Sequence, residues 1–282
     1  MSDAHPAIPT PDWANTSGDV WARRWQDIDA GLAEVSPHLL DAVRASAPRG
    51  RFKAFEVGCG PGSTTIEVAD AFAEADVVAC DISPALAQIA RHRLANRARV
   101  RVVVGDAQAI APSEAPLDVI FSRHGVMFFD DPVRAFESLR TAARPGAGLA
   151  FSCFRDWELN PWASEVASAA AGRAVPAPGR EPGGFAFADR DYVLALLAST
   201  GWVDPEARAV DFNYVAGAGS DALHDALSFL ADLGPAARLL ESLAEHERRT
   251  GLQRMRGVIE RHFDGQAVAF PAAAWVWRAK AG

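Results

Sequence analysis

Apolar positions early in the chain recur at three- and four-residue steps: Trp21, Trp25, Ile28, Leu32, Val35 and Leu39. That spacing predicts a long amphipathic helix from Val20, interrupted at Pro37, and a second helix from Pro37 to Ala47. The Pro-rich residues 1–15 ahead of it predict a loose tail. From Phe52 the period changes. Short apolar runs at 52–57, 77–80, 100–104, 117–122 and 149–154 predict strands. Helical patterns at 63–75, 84–96 and 132–143 lie between them. Strands alternating with helices of roughly ten residues imply right-handed βαβ units and a parallel sheet. The strands are nearly continuous apolar runs, as expected when both faces of the sheet are covered.

Beyond Phe154 the pattern predicts a helix from Pro161 to Arg173, with Asn160 as its cap and Pro161 in its first turn. A Pro/Gly loop at 175–184 follows, then a helix at 189–199 and a sixth strand at 202–212. Residues 221–263 read as amphipathic helix, and Ala273 to Ala279 as a terminal strand. The organisation is therefore an N-terminal tail and cap helices over 1–50 and a strand–helix core over 51–155. Then come a helix, loop and sixth strand over 156–215, a helical cap insertion over 216–264, and the last strand over 265–282.

Composition narrows the partners. The 282 residues suit one large α/β unit with helical additions, and 49% hydrophobic with 23% charged residues is a globular balance. A formal net charge of −8 argues against a nucleic-acid partner, which would call for a basic face. No apolar stretch reaches the roughly 20 residues of a membrane helix, so no membrane partner is expected. Cys59, Cys80 and Cys153 have no metal-like spacing and read as reduced thiols of a cytoplasmic protein. His224, His246 and His262 lack mutual ligand spacing, and no metal is expected.

The candidate chemistry begins at Glu56-Val57-Gly58-Cys59-Gly60-Pro61-Gly62, at the first strand-to-helix turn. Glycines there let a ligand rest against the backbone of a sharp turn. Asp81 ends the second strand roughly 20 residues on, where a carboxylate can accept hydrogen bonds from ribose hydroxyls. The spacing is GxGxG, with the third glycine one residue earlier than in a dinucleotide-binding turn. Glu56 stands where a carboxylate can meet an amine-bearing ligand.

With these residues the chain resembles the class I S-adenosylmethionine-dependent methyltransferases, small-molecule branch. Glu56 to Gly62, with Gly58, Cys59 and Gly60, matches their first motif, which cradles the methionine and ribose portions. Asp81 and Ile82 match the ribose and adenine contacts, and Gly105-Asp106-Ala107-Gln108 the contact with the adenine amino group. Ser122 to Phe129 resembles the end of the fourth strand, and Arg144 to Gly148 the turn before the fifth. The resemblance covers about residues 50–155. It implies a seven-stranded, mostly parallel, doubly wound sheet whose last strand is antiparallel, and S-adenosylmethionine as cofactor with S-adenosylhomocysteine as product.

Transfer of a sulfonium methyl needs alignment and exclusion of water more than acid–base help. His124, after the fourth strand, is a candidate base or substrate contact. Arg123 could hold an acidic acceptor or a structural carboxylate. Trp21, Trp25, Phe185 and Phe187 are candidate walls of an acceptor pocket closed by the helical cap, with a small apolar or aromatic molecule as acceptor. Two rivals stand beside this reading. One is an NAD(P)-dependent oxidoreductase, which the glycine spacing and the missing Tyr-x-x-x-Lys pair disfavour. The other is a non-catalytic S-adenosylmethionine-binding protein.

Overall fold

The computed structural model describes residues 12–282. Five strands, β1 (Lys53–Val57), β2 (Asp76–Asp81), β3 (Val100–Val104), β4 (Leu117–Arg123) and β5 (Ala143–Phe154), pair in parallel. The last strand, β7 (Ala267–Ala281), runs antiparallel between β5 and β6 (Trp202–Ala218). The sheet order is β3-β2-β1-β4-β5-β7-β6, so the chain reverses direction across the sheet between β1 and β4. A crevice opens at such a switch point, beyond the carboxyl ends of the strands. Phe55, Ile120, Phe121, Phe151 and Trp277 are fully buried on these strands. Each large apolar side chain buried in this way contributes about 1.5–3 kcal/mol.

The crossover helices start where the sequence supplies caps. α4 (Ser63–Ala71) follows the glycine turn. In α5 (Pro84–Arg93) the Ser83 hydroxyl accepts from the Leu86 N–H, and in α6 (Ala107–Ile110) the Asp106 carboxylate accepts from the Gln108 N–H. In α7 (Pro132–Ala142) Asp131 accepts from the Arg134 N–H. Each such bond satisfies an N–H that the first helical turn leaves free.

The N-terminal helices break earlier than Pro37 suggests. They are α1 (Thr16–Arg23), α2 (Trp25–Gly31) and α3 (Ser36–Ser46). Pro37 sits in the first turn of α3, where its missing N–H costs nothing, so it opens the helix instead of interrupting one. The expected loose tail is also shorter. Asp12 to Asn15 form a turn in which the Asn15 amide donates to the Asp12 carboxylate, and Trp13 packs edge-on to Trp21, with ring centroids 5.1 Å apart. The rest of that expectation, residues 1–11, lies outside the described residues.

In the second half lie α8 (Pro161–Ala171), α9 (Arg190–Ser199), α10 (Ala222–Asp232), α11 (Pro235–Glu241) and α12 (Glu245–Arg261). Asn160 precedes α8, but its side chain caps nothing. Fully buried, it accepts from the Ala273 N–H and the Trp162 indole and donates to the Ala273 carbonyl, which fastens α8 to β7. The β6–β7 ribbon is longer than the apolar pattern shows. Opposite Pro271, Asn213 sends its N–H outward to Glu34, so the proline's missing donor leaves no gap in the ladder. No helix among the described residues is long and apolar enough to cross a membrane.

Candidate active site

The carboxyl ends of β1, β2, β3 and β4 open onto a cavity of about 340 Å³. At the end of β1 the chain turns through Gly60, whose φ is +53°; a Cβ built there meets nothing within 4 Å and points into open space. Its N–H donates to Asp81 Oδ2 at 2.7 Å, and the Ser83 N–H donates to Oδ1 at 2.8 Å. Burial raises the Asp81 carboxyl above its usual range, against the pull of these two N–H groups. Each carboxylate oxygen keeps acceptor capacity on the cavity side. Ile82 forms an exposed apolar lip beside it.

Glu56 lies deeper, almost wholly buried, and accepts a short hydrogen bond from the Thr65 hydroxyl. Burial lifts its carboxyl from an ordinary 4.5 to about 8, against the opposing effects of that bond and of Arg123. The free chain therefore holds it protonated near neutral pH. Asp106, Ala107 and Gln108 complete this end of the cavity.

At the end of β4, Arg123 and His124 also reach the lining. Arg123 is spoken for. It donates to Asp29 Oδ1 at 2.6 Å and to the Ser36 hydroxyl at 2.9 Å, with its side chain 8% exposed. Asp29 further accepts from Arg93 at 3.2 Å and from the Ser63 hydroxyl. One α2 carboxylate thus ties together β4, α4 and α5. Replacing Asp29 by Ala strands Arg123 as a buried charge, and unfolding free energy in urea is expected to fall by about 3 kcal/mol. A loss below about 1 kcal/mol would put the pair among ordinary surface contacts.

Five residues expected at the site do not line the cavity. Gly62 packs against α5, where a Cβ would come within 3.0 Å of Leu94. The Ser122 hydroxyl donates to the Val57 carbonyl at 2.7 Å and accepts from the Gly125 N–H, which fixes the turn after β4. Trp25 lies under the Arg93 guanidinium, 4.4 Å from its ring centroid. Phe185 stacks on Phe154 and Phe187 packs among Phe136, Phe151 and Tyr192, both in the core. The helices α10 to α12 pack on α8, β6 and β7 and also contribute nothing to the lining. The wall comes instead from the N-terminal segment and the turn after β4: Trp13, Trp21, Ile28, Leu32, Phe128 and Phe129. Only Trp21 of these was expected there. A tryptophan inside a Pro-rich stretch and a Phe-Phe pair after the fourth strand were the available signals.

A methyltransferase-domain family model matches residues 54–146, the span from β1 into β5. Over this span the chain is similar to a methyltransferase domain. Malonyl-acyl-carrier protein O-methyltransferase 1 of Ilyobacter polytropus is 29% identical over 124 residues, 43% of this chain and 46% of that protein. Trans-aconitate 2-methyltransferase of Methylobacterium radiotolerans is 35% identical over 112 residues, 40% of each. The chain spans about half the length of the curated relatives it matches. Among solved structures, Haemonchus contortus phosphoethanolamine N-methyltransferase 2 with S-adenosyl-L-methionine superposes with a TM-score of 0.54. That match covers 98% of this chain and 60% of the other, at 15% identity, a likeness of fold.

The likeness of residues 54–146 to a methyltransferase domain implies S-adenosylmethionine as the cofactor. The cavity suits it on the side chains alone. Among the described residues, the acidic groups of Asp12, Asp81, Asp106 and Asp130 line the cavity beside the protonated Glu56, and its single cation, Arg123, is already paired. Such a lining favours a ligand with an ammonium and a sulfonium and repels a pyrophosphate, which disfavours a nicotinamide dinucleotide.

Proposed function

We propose that the chain transfers a methyl group from S-adenosylmethionine to a small, uncharged acceptor with an apolar or aromatic body. One observation carries this reading. Among the described residues, the cavity wall not built from the glycine turn and its neighbouring strand ends is mainly apolar and aromatic, with Asp12 and Asp130 beside Trp13, Trp21, Ile28, Leu32, Phe128 and Phe129, and the cavity's one cation is neutralised by Asp29. When bound, the cofactor supplies a methyl already activated on sulfur. The chain's part is then to hold Glu56, Asp81 and Asp106 against the cofactor and to shield the transfer from water with Trp13, Trp21 and Phe128. Trp13 and Phe128 meet edge to face, with centroids 4.7 Å apart.

The names of the relatives point to carboxylate acceptors, trans-aconitate and malonyl-acyl-carrier protein. An anion of that kind would meet acidic side chains and, among the described residues, no free cation in this lining, which argues for a neutral acceptor here.

The test is release of S-adenosylhomocysteine with a panel of neutral phenols, naphthols and anilines, each with and without a ring acetyl group, beside trans-aconitate and malonyl-acyl-carrier protein. At least one neutral aromatic is expected to exceed both acids in kcat/KM by about tenfold, or 1.4 kcal/mol. Preferential turnover of either acid overturns the proposal. Cofactor binding with no turnover of any acceptor would leave the non-catalytic reading in its place.

A further inference from the structure

His124 is pinned twice to one residue of β5. Its backbone N–H donates to the Ser152 carbonyl at 3.1 Å, and its Nδ1 lies 2.9 Å from the Ser152 hydroxyl oxygen. Its φ is +56°, a left-handed conformation uncommon for a residue with a side chain. The ring sits against Phe154, centroids 4.4 Å apart, and is almost wholly buried. Strain of this kind persists where the surroundings hold a side chain in one place.

The hydroxyl of Ser152 decides the tautomer. Ser152 is fully buried, and among the described residues Nδ1 of His124 is its hydroxyl's one partner. Either tautomer leaves one buried donor unpaired in the free chain, but only a donor on Nε2 belongs to a residue of the cavity lining, where a ligand can accept from it, whereas the Ser152 hydroxyl has no acceptor but Nδ1 among the described residues. The hydroxyl therefore donates to Nδ1, and the ring proton resides on Nε2. Nε2 is itself buried without a partner among the described residues, in a residue that lines the cavity. Burial and the neighbouring Arg123 charge lower the imidazole from 6.5 to about 3, so it stays neutral and is a poor base.

We propose that His124 is a fixed, uncharged hydrogen-bond donor whose Nε2–H binds a carbonyl oxygen of the methyl acceptor, and so selects acceptors that carry a carbonyl beside an apolar body. A carbonyl accepts and has no proton of its own to place against an apolar wall, whereas a hydroxyl would bring one. His124 then positions and selects the acceptor and takes no proton from it. The selection rests on the methyl-transfer reading above; the tautomer does not.

Two measurements test this. Nitrogen NMR of the ¹⁵N-histidine-labelled chain, with His124 assigned by its loss in His124→Gln, is expected to show a neutral ring protonated at Nε2 from pH 5.5 to 8. A ring protonated at Nδ1, or one that titrates near 6.5, overturns the proposal at its root, whatever the reaction. The second measurement uses acetophenone and ethylbenzene, a matched pair with and without the carbonyl, on protein saturated with S-adenosylhomocysteine. Acetophenone is expected to bind about tenfold tighter and to shift the His124 Nε2 signal. His124→Leu should lose that preference, and His124→Gln, which keeps an N–H donor, should retain part of it. Equal affinity of the two probes for the unaltered chain, or an undiminished preference in His124→Leu, overturns the selection. Failure of S-adenosylhomocysteine to stabilise the chain would instead count against the cofactor reading, with the tautomer result standing apart.

Discussion

A Gly60→Leu chain is expected to fold and to lose S-adenosylhomocysteine binding. Position 60 has a left-handed φ of +53°, so any side chain there is strained by about 1–2 kcal/mol, a tolerable loss for a domain of this size. The built Cβ meets no atom of the chain within 4 Å, so the apoprotein has no clash to relieve. What the leucine does enter is the cavity, beside the backbone N–H that holds Asp81 in place. Thermal unfolding with and without ligand separates the two effects. The unaltered chain should gain about 2.7 kcal/mol at a hundredfold excess over the dissociation constant, and the variant nothing. Equal stabilisation of both would remove the glycine turn from the cofactor site.

The second large effect is a proton released on binding. In the free chain Glu56 ionises only near pH 8, against 4.5 ordinarily. Because the folded state holds this proton more tightly, Glu56's own contribution to apoprotein stability is fully present below pH 4.5. It loses about 1.4 kcal/mol per unit as pH rises from there to about 8. A ligand ammonium beside the carboxylate reverses the preference and expels the proton. Affinity for S-adenosylhomocysteine should accordingly rise about tenfold per pH unit up to pH 8 and level off above it. Calorimetry in two buffers of different ionisation enthalpy counts the proton directly. The ratio of unaltered to Glu56→Gln affinity between pH 6 and 7.5 cancels any titration of the ligand itself. A flat ratio, with no proton released, would mean that Glu56 does not pair with the ligand's amine.

The sheet and the glycine-turn end of the cavity were legible because their residue types are dictated locally. A turn that lets a ligand touch backbone must be glycine, and a carboxylate at a strand end announces itself by position. The acceptor wall has no such local rule. Trp21 and Trp25 are four residues apart, yet Trp21 faces the cavity while Trp25 lies under Arg93, and the helix breaks between them at Arg24, where α1 ends and α2 begins. Phe185 and Phe187 follow a loop that could lead anywhere; only packing against Phe151 and Phe154 shows that they fill the core. Asn160 stands at a helix start, and no periodicity reveals that its amide serves Ala273, 113 residues away. The helices between β6 and β7 read as an insertion from their order alone. Which side of the sheet they cover depends on long-range contacts such as the stacking of Tyr214 on Trp162 and Phe229.

The attachment of the N-terminal segment also bears on how such a site can change over generations. Its polar anchors to the rest of the chain include Asp29, held by Arg93 and Arg123, Arg24, held by Asp232 and Ser228, and Glu34, held by Asn213. Its lining positions are other residues, Trp13, Trp21, Ile28 and Leu32. Mutations at the lining can therefore reshape the cavity mouth while the anchors keep the segment docked and the glycine turn stays untouched. Acceptor preference in this architecture can drift by single substitutions without passing through an unfolded or cofactor-less ancestor.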